Sequence, residues 1–300
     1  MNNKRFRGIM PALPTAINQD SSFRPDAAEK LMNHLLKAPI RGFYINGGTG
    51  EGPVLPEKTR MENAELAVSV VHGRGVIINQ IGAPDTQSAF ALAEHAAKIG
   101  CDAISSLIPS YYFHYPVGRI LDYFREIARI SGLPVLVYAN NLMTVEPYDF
   151  MRRVMEIPGV IGLKYTMPDY YQLQRISMLC EGDINVINGP DQTLLCGLAM
   201  GADGGIGTTY NLMPDRFCAL YDAFRAGDIR RAQELQFSVN HVIAALRPYT
   251  SIPAVKAFFA MRGIDVGNTA YPGRVLTEEE RTAFRAALEE NGISCDPISV

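Results

Sequence analysis

The chain has 300 residues, 47% of them hydrophobic, with 28 Lys and Arg against 31 Asp and Glu and a formal net charge of −3. That supplies ample apolar material for a core, and a near-balanced charge gathered into no run excludes nucleic acid and anionic membrane as expected partners. No stretch approaches the ~18 consecutive apolar residues of a membrane span, and no signal-type apolar segment follows the first residues, so a cytoplasmic protein is expected.

Short apolar, β-branched runs alternate with longer segments of helical period over most of the chain, the signature of repeated βα units. Eight strands are predicted, at 8–14, 42–46, 76–81, 103–107, 134–138, 160–165, 184–188 and 204–208. Helices are predicted between and after them at 26–36, 56–72, 86–99, 117–131, 147–157, 169–181, 193–201 and 214–226; Asp85 caps the third and Gly100 ends it. Eight strands each followed by a helix is the count of a closed (β/α)8 TIM barrel. A doubly wound open sheet stays as the alternative, although no G-x-G-x-x-G motif opens a helix after the first strand. Beyond residue 226 the strands stop, and helices are predicted to about 246, over 251–262 and over 277–291, the last opened by the capping-box pattern Thr277-Glu-Glu-Glu280. The expected division is therefore a catalytic barrel over 1–226 and a C-terminal three-helix extension over 227–300, packed on the barrel.

A (β/α)8 barrel carries its chemistry at the C-terminal ends of the strands. One of the seven lysines, Lys164, stands there, closing the apolar run Gly159-Val-Ile-Gly-Leu-Lys164 on strand six. Charges are rarely buried without partners, and burial favours the neutral amine, which is the nucleophile. Two readings of Lys164 stand at this point: a nucleophilic amine, or a strand-end lysine reaching water. Its rival, Lys256, falls in the helical pattern Ser251-Ile-Pro-Ala-Val-Lys-Ala-Phe-Phe-Ala-Met261, where a long stem is expected to cover apolar surface and keep its head wet.

After strand two comes Asn46-Gly-Gly-Thr-Gly-Glu-Gly52. Its backbone amides and the Thr49 hydroxyl can converge on a carboxylate or phosphate, although a purely structural turn is the plain alternative. No Gly-Lys-Ser/Thr follows, so it is not a Walker loop. Tyr138 ends strand five, next to strand six, either as a proton-carrying phenol or as a rim tyrosine packing its ring. Tyr111 lies in the Tyr-rich segment Tyr111-Tyr-Phe-His-Tyr115, which also suits a subunit interface. The five histidines lack metal spacing, and no serine stands in G-x-S-x-G. The five cysteines have no C-x-x-C pair and read as small buried hydrophobes.

Taken together, Gly47-Gly-Thr-Gly-Glu51, Tyr138, Gly162-Leu-Lys164-Tyr-Thr and Gly201-Ala-Asp-Gly-Gly-Ile-Gly207 resemble the N-acetylneuraminate lyase and dihydrodipicolinate synthase family of pyruvate-dependent class I aldolases. The likeness runs from about Gly8 to the C-terminal helices. It implies an imine between Lys164 and the keto carbon of pyruvate or a pyruvate-derived 2-keto acid, with no metal or organic cofactor. It further implies a substrate carboxylate held at Gly48 and Thr49, proton transfer by Tyr138, and a Tyr111 that reaches a neighbouring subunit's site in a homotetramer built as a dimer of dimers.

The synthase branch carries an arginine five residues after the catalytic tyrosine; here that residue is Met143, and a thioether cannot pair with a carboxylate. The lyase branch binds a polyhydroxylated tail after strands seven and eight, where this chain has Gly189, Asp191, Gln192, Gly207 and Thr208, with Gln192 at the place of the usual glutamate. Before Thr49 the family usually has a serine or threonine; Gly48 keeps the amide and lacks the hydroxyl. The resemblance thus implies a lyase that cleaves a 2-keto-3-deoxy sugar acid to pyruvate and an aldehyde. A synthase or dehydratase of the same family, and a non-catalytic keto-acid-binding regulator, are the alternatives.

Overall fold

The computed structural model describes residues 3–109 and 113–298. Eight strands form one all-parallel sheet in the order β1-β8-β7-β6-β5-β4-β3-β2, namely β1 (Gly8–Pro11), β2 (Gly42–Ile45), β3 (Val76–Gln80), β4 (Ala103–Leu107), β5 (Val135–Asn140), β6 (Val160–Thr166), β7 (Asn185–Asn188) and β8 (Gly204–Gly207). The sheet closes where Ala12 bridges Tyr44 and Leu13 N–H donates to the Tyr44 carbonyl at 2.9 Å. This is the expected TIM barrel. Strands one and eight are shorter than predicted; past Pro11 and Gly207 the regular ladder between them gives way to the single contacts of Ala12 and Leu13 as the chain enters the loops of the barrel mouth.

Eight helices alternate with the strands: α1 (Pro25–Leu35), α2 (Glu57–Val71), α3 (Thr86–Ile99), α4 (Val117–Ser131), α5 (Pro147–Val154), α6 (Tyr170–Ser177), α7 (Leu194–Ala199) and α8 (Pro214–Arg225). The Asp85 carboxylate caps α3 by accepting from Ser88 N–H, and Gly100 ends it in the left-handed region. The sixth helix stops earlier than predicted, since Cys180 and Glu181 take φ of 53° and 57° and form a separate turn. After the barrel come α9 (Ile229–Leu246), α10 (Ser251–Met261) and α11 (Glu278–Glu290), with α9 packed on α8 and the capping box of Thr277 and Glu280 formed at α11.

Parallel strands covered on both faces read as continuous apolar runs, and alternate residues divide between two cores. Phe43, Ile45, Val135, Val137, Leu163 and Tyr165 join the layer beneath the helices, whereas Met10, Tyr44, Ile78, Leu136, Ile187 and Ile206 fill the barrel. Complete burial of such side chains contributes ~1.5–3 kcal/mol each. On β6 the alternation breaks: Val135 pairs Val160 but Leu136 pairs Gly162, leaving Ile161 as an extra residue. This bulge turns Lys164 and Thr166 to the inner face of the barrel.

Two expectations are corrected. Lys256 does not keep its head in water; it is 2% exposed, and its Nζ lies 2.7 Å from Glu51 Oε1 and donates to the Asn268 carbonyl at 2.8 Å. Burial lowers its pKa, against the opposing pull of the Glu51 carboxylate. Of the cysteines, Cys101, Cys218 and Cys295 are buried, but Cys180 and Cys196 are exposed on the helical turns that carry them.

On α1, His34 packs edge-on against Phe259 of α10, with ring centroids 6.3 Å apart. Burial, with the charges of Arg262 and Lys37 adding to it, depresses its pKa from the ordinary 6.5 to about 4. The unfolded chain therefore takes up this proton first as pH falls below 6.5. Stability is unaffected above that value and declines toward pH 4, by ~1–2 kcal/mol once solvent screening at a partly exposed site is allowed for. His34→Phe is expected to flatten this part of the melting temperature against pH curve, measured by thermal unfolding between pH 7 and 4.

Candidate active site

The C-terminal ends of the strands open into a cavity of about 410 Å³, lined by Gly48, Thr49, Tyr138, Lys164, Thr166, Gly189, Gly207 and Thr208 from the barrel loops and by 250–253 at the start of α10. Lys164 is 5% exposed. Its Nζ sits between two aromatic faces, 4.4 Å from the Tyr44 ring centroid and 4.3 Å from that of Tyr138. Among the described residues no carboxylate comes within 4.0 Å of it. The amine is thus desolvated and oriented without being tied to an acid, as addition to a carbonyl carbon requires.

Tyr138 stands directly across the β5–β6 ladder from Lys164. Its ring meets that of Tyr44 edge-on at 6.1 Å, and Tyr44 is held in turn by a hydroxyl contact of 3.2 Å to Ser105 Oγ. Two phenols therefore flank the amine, where the sequence reading had one. Tyr44 shares the inward parity of the apolar barrel residues, and that alternation on β2 was the available signal for it.

The glycine loop is built tightly. A Cβ at Gly52 would lie 1.9 Å from the Asn46 carbonyl oxygen, and one at Gly47 would lie 2.3 Å from the Tyr44 ring. Neither position admits a side chain without moving the site. Asn46, itself left-handed at φ 56°, donates to the Arg60 carbonyl and to Asn79 Oδ1, and accepts from Asn63. Thr15 Oγ1 donates to the Gly50 carbonyl at 2.6 Å. Gly48 differs from its neighbours, since among the described residues a Cβ there would meet only the Tyr138 hydroxyl, at 3.9 Å.

Across the cavity, Thr49 Oγ1 and Thr208 Oγ1 share a hydrogen bond of 2.6 Å, which joins the loop after β2 to the loop after β8. Gly189 leaves room for Thr166, whose Oγ1 would otherwise lie 1.9 Å from a Cβ; that oxygen is buried and has no hydrogen-bond partner among the described residues.

Of the residues anticipated for a substrate tail, Gly189, Gly207 and Thr208 line the cavity, while Asp191 and Gln192 stand outside its wall. Asp191 Oδ2 accepts from Thr209 N–H and Thr209 Oγ1, both at 2.7 Å, and Oδ1 occupies the space behind Gly207. Burial pushes its carboxyl pKa up, opposed by the Thr209 hydrogen bonds and the charge of Lys164. Its carboxylate fixes the 207–209 turn from behind. Gln192 is exposed, and its carbonyl accepts from Asn240 of α9. Met143 is partly buried against the layer beneath the helices. Tyr111 lies outside the described residues.

Sequence reasoning missed the whole contribution of 250–253, because a helix after the eighth βα unit carries no signal that it returns to the barrel mouth. Among the described residues no group of three His, Cys, Asp or Glu side chains is placed to hold a metal, and no helix is long and apolar enough to cross a membrane.

The chain is 34% identical over 285 residues to the N-acetylneuraminate lyase of Rhizobium meliloti, covering 95% of both, and 33% identical to that of Citrobacter koseri over 81% of this chain and 82% of that one. The solved N-acetylneuraminate lyase of Proteus mirabilis superposes with a TM-score of 0.91 at 26% identity, covering 96% of this chain and 99% of that one. Residues 5–291 match the model of the dihydrodipicolinate synthetase family, and with a lysine, a tyrosine and a glycine-rich loop gathered at the mouth of its barrel this chain belongs to that family.

Proposed function

We propose that the chain is a class I aldolase that cleaves N-acetylneuraminate, or a closely related 2-keto-3-deoxy sugar acid, to pyruvate and an aldehyde through an imine on Lys164. The observation that carries this reading is the Lys164 amine, buried at the inner end of β6 between the Tyr44 and Tyr138 rings with no carboxylate of the described residues beside it. The amine adds to the C2 carbonyl and water leaves, giving a protonated imine. The C4 hydroxyl then loses its proton, the C3–C4 bond breaks, and its electron pair passes into the imine to give an enamine and the free aldehyde. Protonation at C3 and hydrolysis return pyruvate and the lysine amine.

Tyr138 is assigned the proton transfers, worth ~10²–10⁴-fold in general acid–base catalysis. The Gly48 and Thr49 amides and the Thr49 hydroxyl take the carboxylate, and Gly189, Gly207, Thr208 and Thr166 face the rest of the substrate. Asp191 is assigned an indirect part through Thr208 and Thr209. A synthase reading is weaker because Met143 offers no cation to a second carboxylate. A homotetramer, with Tyr111 completing a neighbour's site, and a cytoplasmic location belong to the same proposal and rest on the family resemblance.

Incubation with pyruvate, reduction with borohydride and intact-mass measurement should add one reduced pyruvate to the chain, and Lys164→Ala should abolish the gain; an unlabelled native chain rejects the aldolase reading. Tyr138→Phe is expected to keep the fold and lower kcat for sugar-acid cleavage by about 10²–10⁴, followed as pyruvate release. The open space at Gly48 allows Gly48→Ser to fold with an unchanged melting temperature and to set a hydroxyl beside Tyr138. It should alter kcat by about threefold or more, on the scale of a perturbed proton transfer, and an unchanged kcat argues against a relay at this position.

A further inference from the structure

The ion pair between Glu51 and Lys256 is the most deeply buried in the described structure, at 8% and 2% exposure, and it touches both walls of the cavity without lining it. On one side Glu51 belongs to the glycine loop. Its N–H donates to the Gly48 carbonyl at 3.0 Å, and its backbone sits in the left-handed region at φ 57°. On the other side Lys256 belongs to α10, whose first residues, Ser251, Ile252 and Pro253, line the cavity opposite that loop. The remaining carboxylate oxygen, Glu51 Oε2, accepts from Ala270 N–H at 2.7 Å, and Lys256 Nζ donates to the Asn268 carbonyl, so the segment after α10 is drawn into the same network.

Stability alone does not explain such a pair. Desolvating two charges offsets most of their attraction, and a well-packed apolar pair of similar volume is often as stable or more so. What an apolar pair cannot do is fix direction. The four contacts of this network hold the glycine loop at one distance and angle from α10. Both elements line the cavity, the loop with Gly48 and Thr49 and the helix with Ser251, Ile252 and Pro253, so their separation sets the room available to a ligand between them. Thr250, which precedes α10 and lines the cavity, is held at φ 60° and ψ 149°, a region essentially confined to glycine, so the approach of this helix is imposed by its surroundings.

We infer that Glu51 and Lys256 are positioning residues that set the separation between the glycine-loop wall and the α10 wall of the cavity, and through it the affinity of the site for a 2-keto acid whose carboxylate lies at Gly48 and Thr49. The inference rests on the aldolase reading. The test uses pyruvate with borohydride trapping on the full chain, reading the pyruvate concentration that gives half-maximal labelling, alongside thermal unfolding.

The double variant Glu51→Gln/Lys256→Met removes both charges at nearly constant volume. It is expected to melt within a few degrees of the native chain yet need about tenfold more pyruvate for half-maximal labelling, with the final extent unchanged. A purely structural role would lower the melting temperature or the labelled fraction without moving that midpoint. A native midpoint in the folded double variant overturns the inference. Glu51→Asp, which keeps the charge but shortens its reach, should raise the midpoint likewise and decides the matter if the double variant does not fold. A native chain that labels while both variants label identically to it overturns only this inference; a native chain that does not label overturns the aldolase reading and this inference with it.

Discussion

An amine held inside an apolar barrel between two phenol faces is the constraint on which the rest of this structure depends. A lysine at 5% exposure is stabilised most simply by a carboxylate, but a carboxylate at hydrogen-bond distance would hold the ammonium form and occupy the approach of a substrate carbonyl. The faces of Tyr44 and Tyr138 offer weaker support, ~0.5–2 kcal/mol per contact, and leave the nitrogen free to form a bond. Asp191 stands at one remove, behind Gly207 and committed to Thr209, so its oxygens do not reach the amine.

The glycines of the loop after β2 act for different reasons. Gly47 and Gly52 are steric requirements, set by the Tyr44 ring and by the Asn46 carbonyl. Gly48 meets no such obstacle among the described residues, so its missing side chain enlarges the cavity beside the Tyr138 hydroxyl. Rigidity at the flanks and space at the centre follow from the same residue type. The Asn46, Asn63 and Asn79 hydrogen bonds and the Thr15 contact to Gly50 hold the frame around that space.

The fold was legible because eight apolar runs separated by helical periods admit few closed arrangements, and strand parity then assigns faces. That Lys164, Tyr138, Gly48 and Thr49 meet at one cavity was legible because they fall at the C-terminal ends of their strands, which this architecture gathers at one mouth. The orientation of Lys164 was not, because the bulge at Ile161 depends on how Val135 and Leu136 pair across the ladder, which no local pattern encodes. Lys256 was misread as a snorkelling side chain because its partner, Glu51, lies some two hundred residues earlier, and amphipathic helices with wet lysines are the commoner case. Asp191 and Gln192 illustrate a related limit: a residue at the right strand end can point behind the wall as readily as into the cavity.

The same limit bears on how the C-terminal helices relate to the barrel. The strands and the loops after them bring Lys164, Tyr44, Tyr138, Gly48 and Thr49 to the barrel mouth, but Thr250, Ser251, Ile252 and Pro253 complete the cavity wall from outside the eight βα units. Three non-glycine residues near this wall, Asn46, Glu51 and Thr250, have positive φ, and each such position costs of order 1–3 kcal/mol unless its surroundings over-determine it. Asn46 is fixed by the side chains of α2 and β3, Glu51 by Lys256 and Ala270, and Thr250 by the docking of α10. Two of the three constraints thus come from the C-terminal layer. An isolated barrel would relax at these points, so the helices after residue 226 carry part of the site's preorganisation as well as its cover.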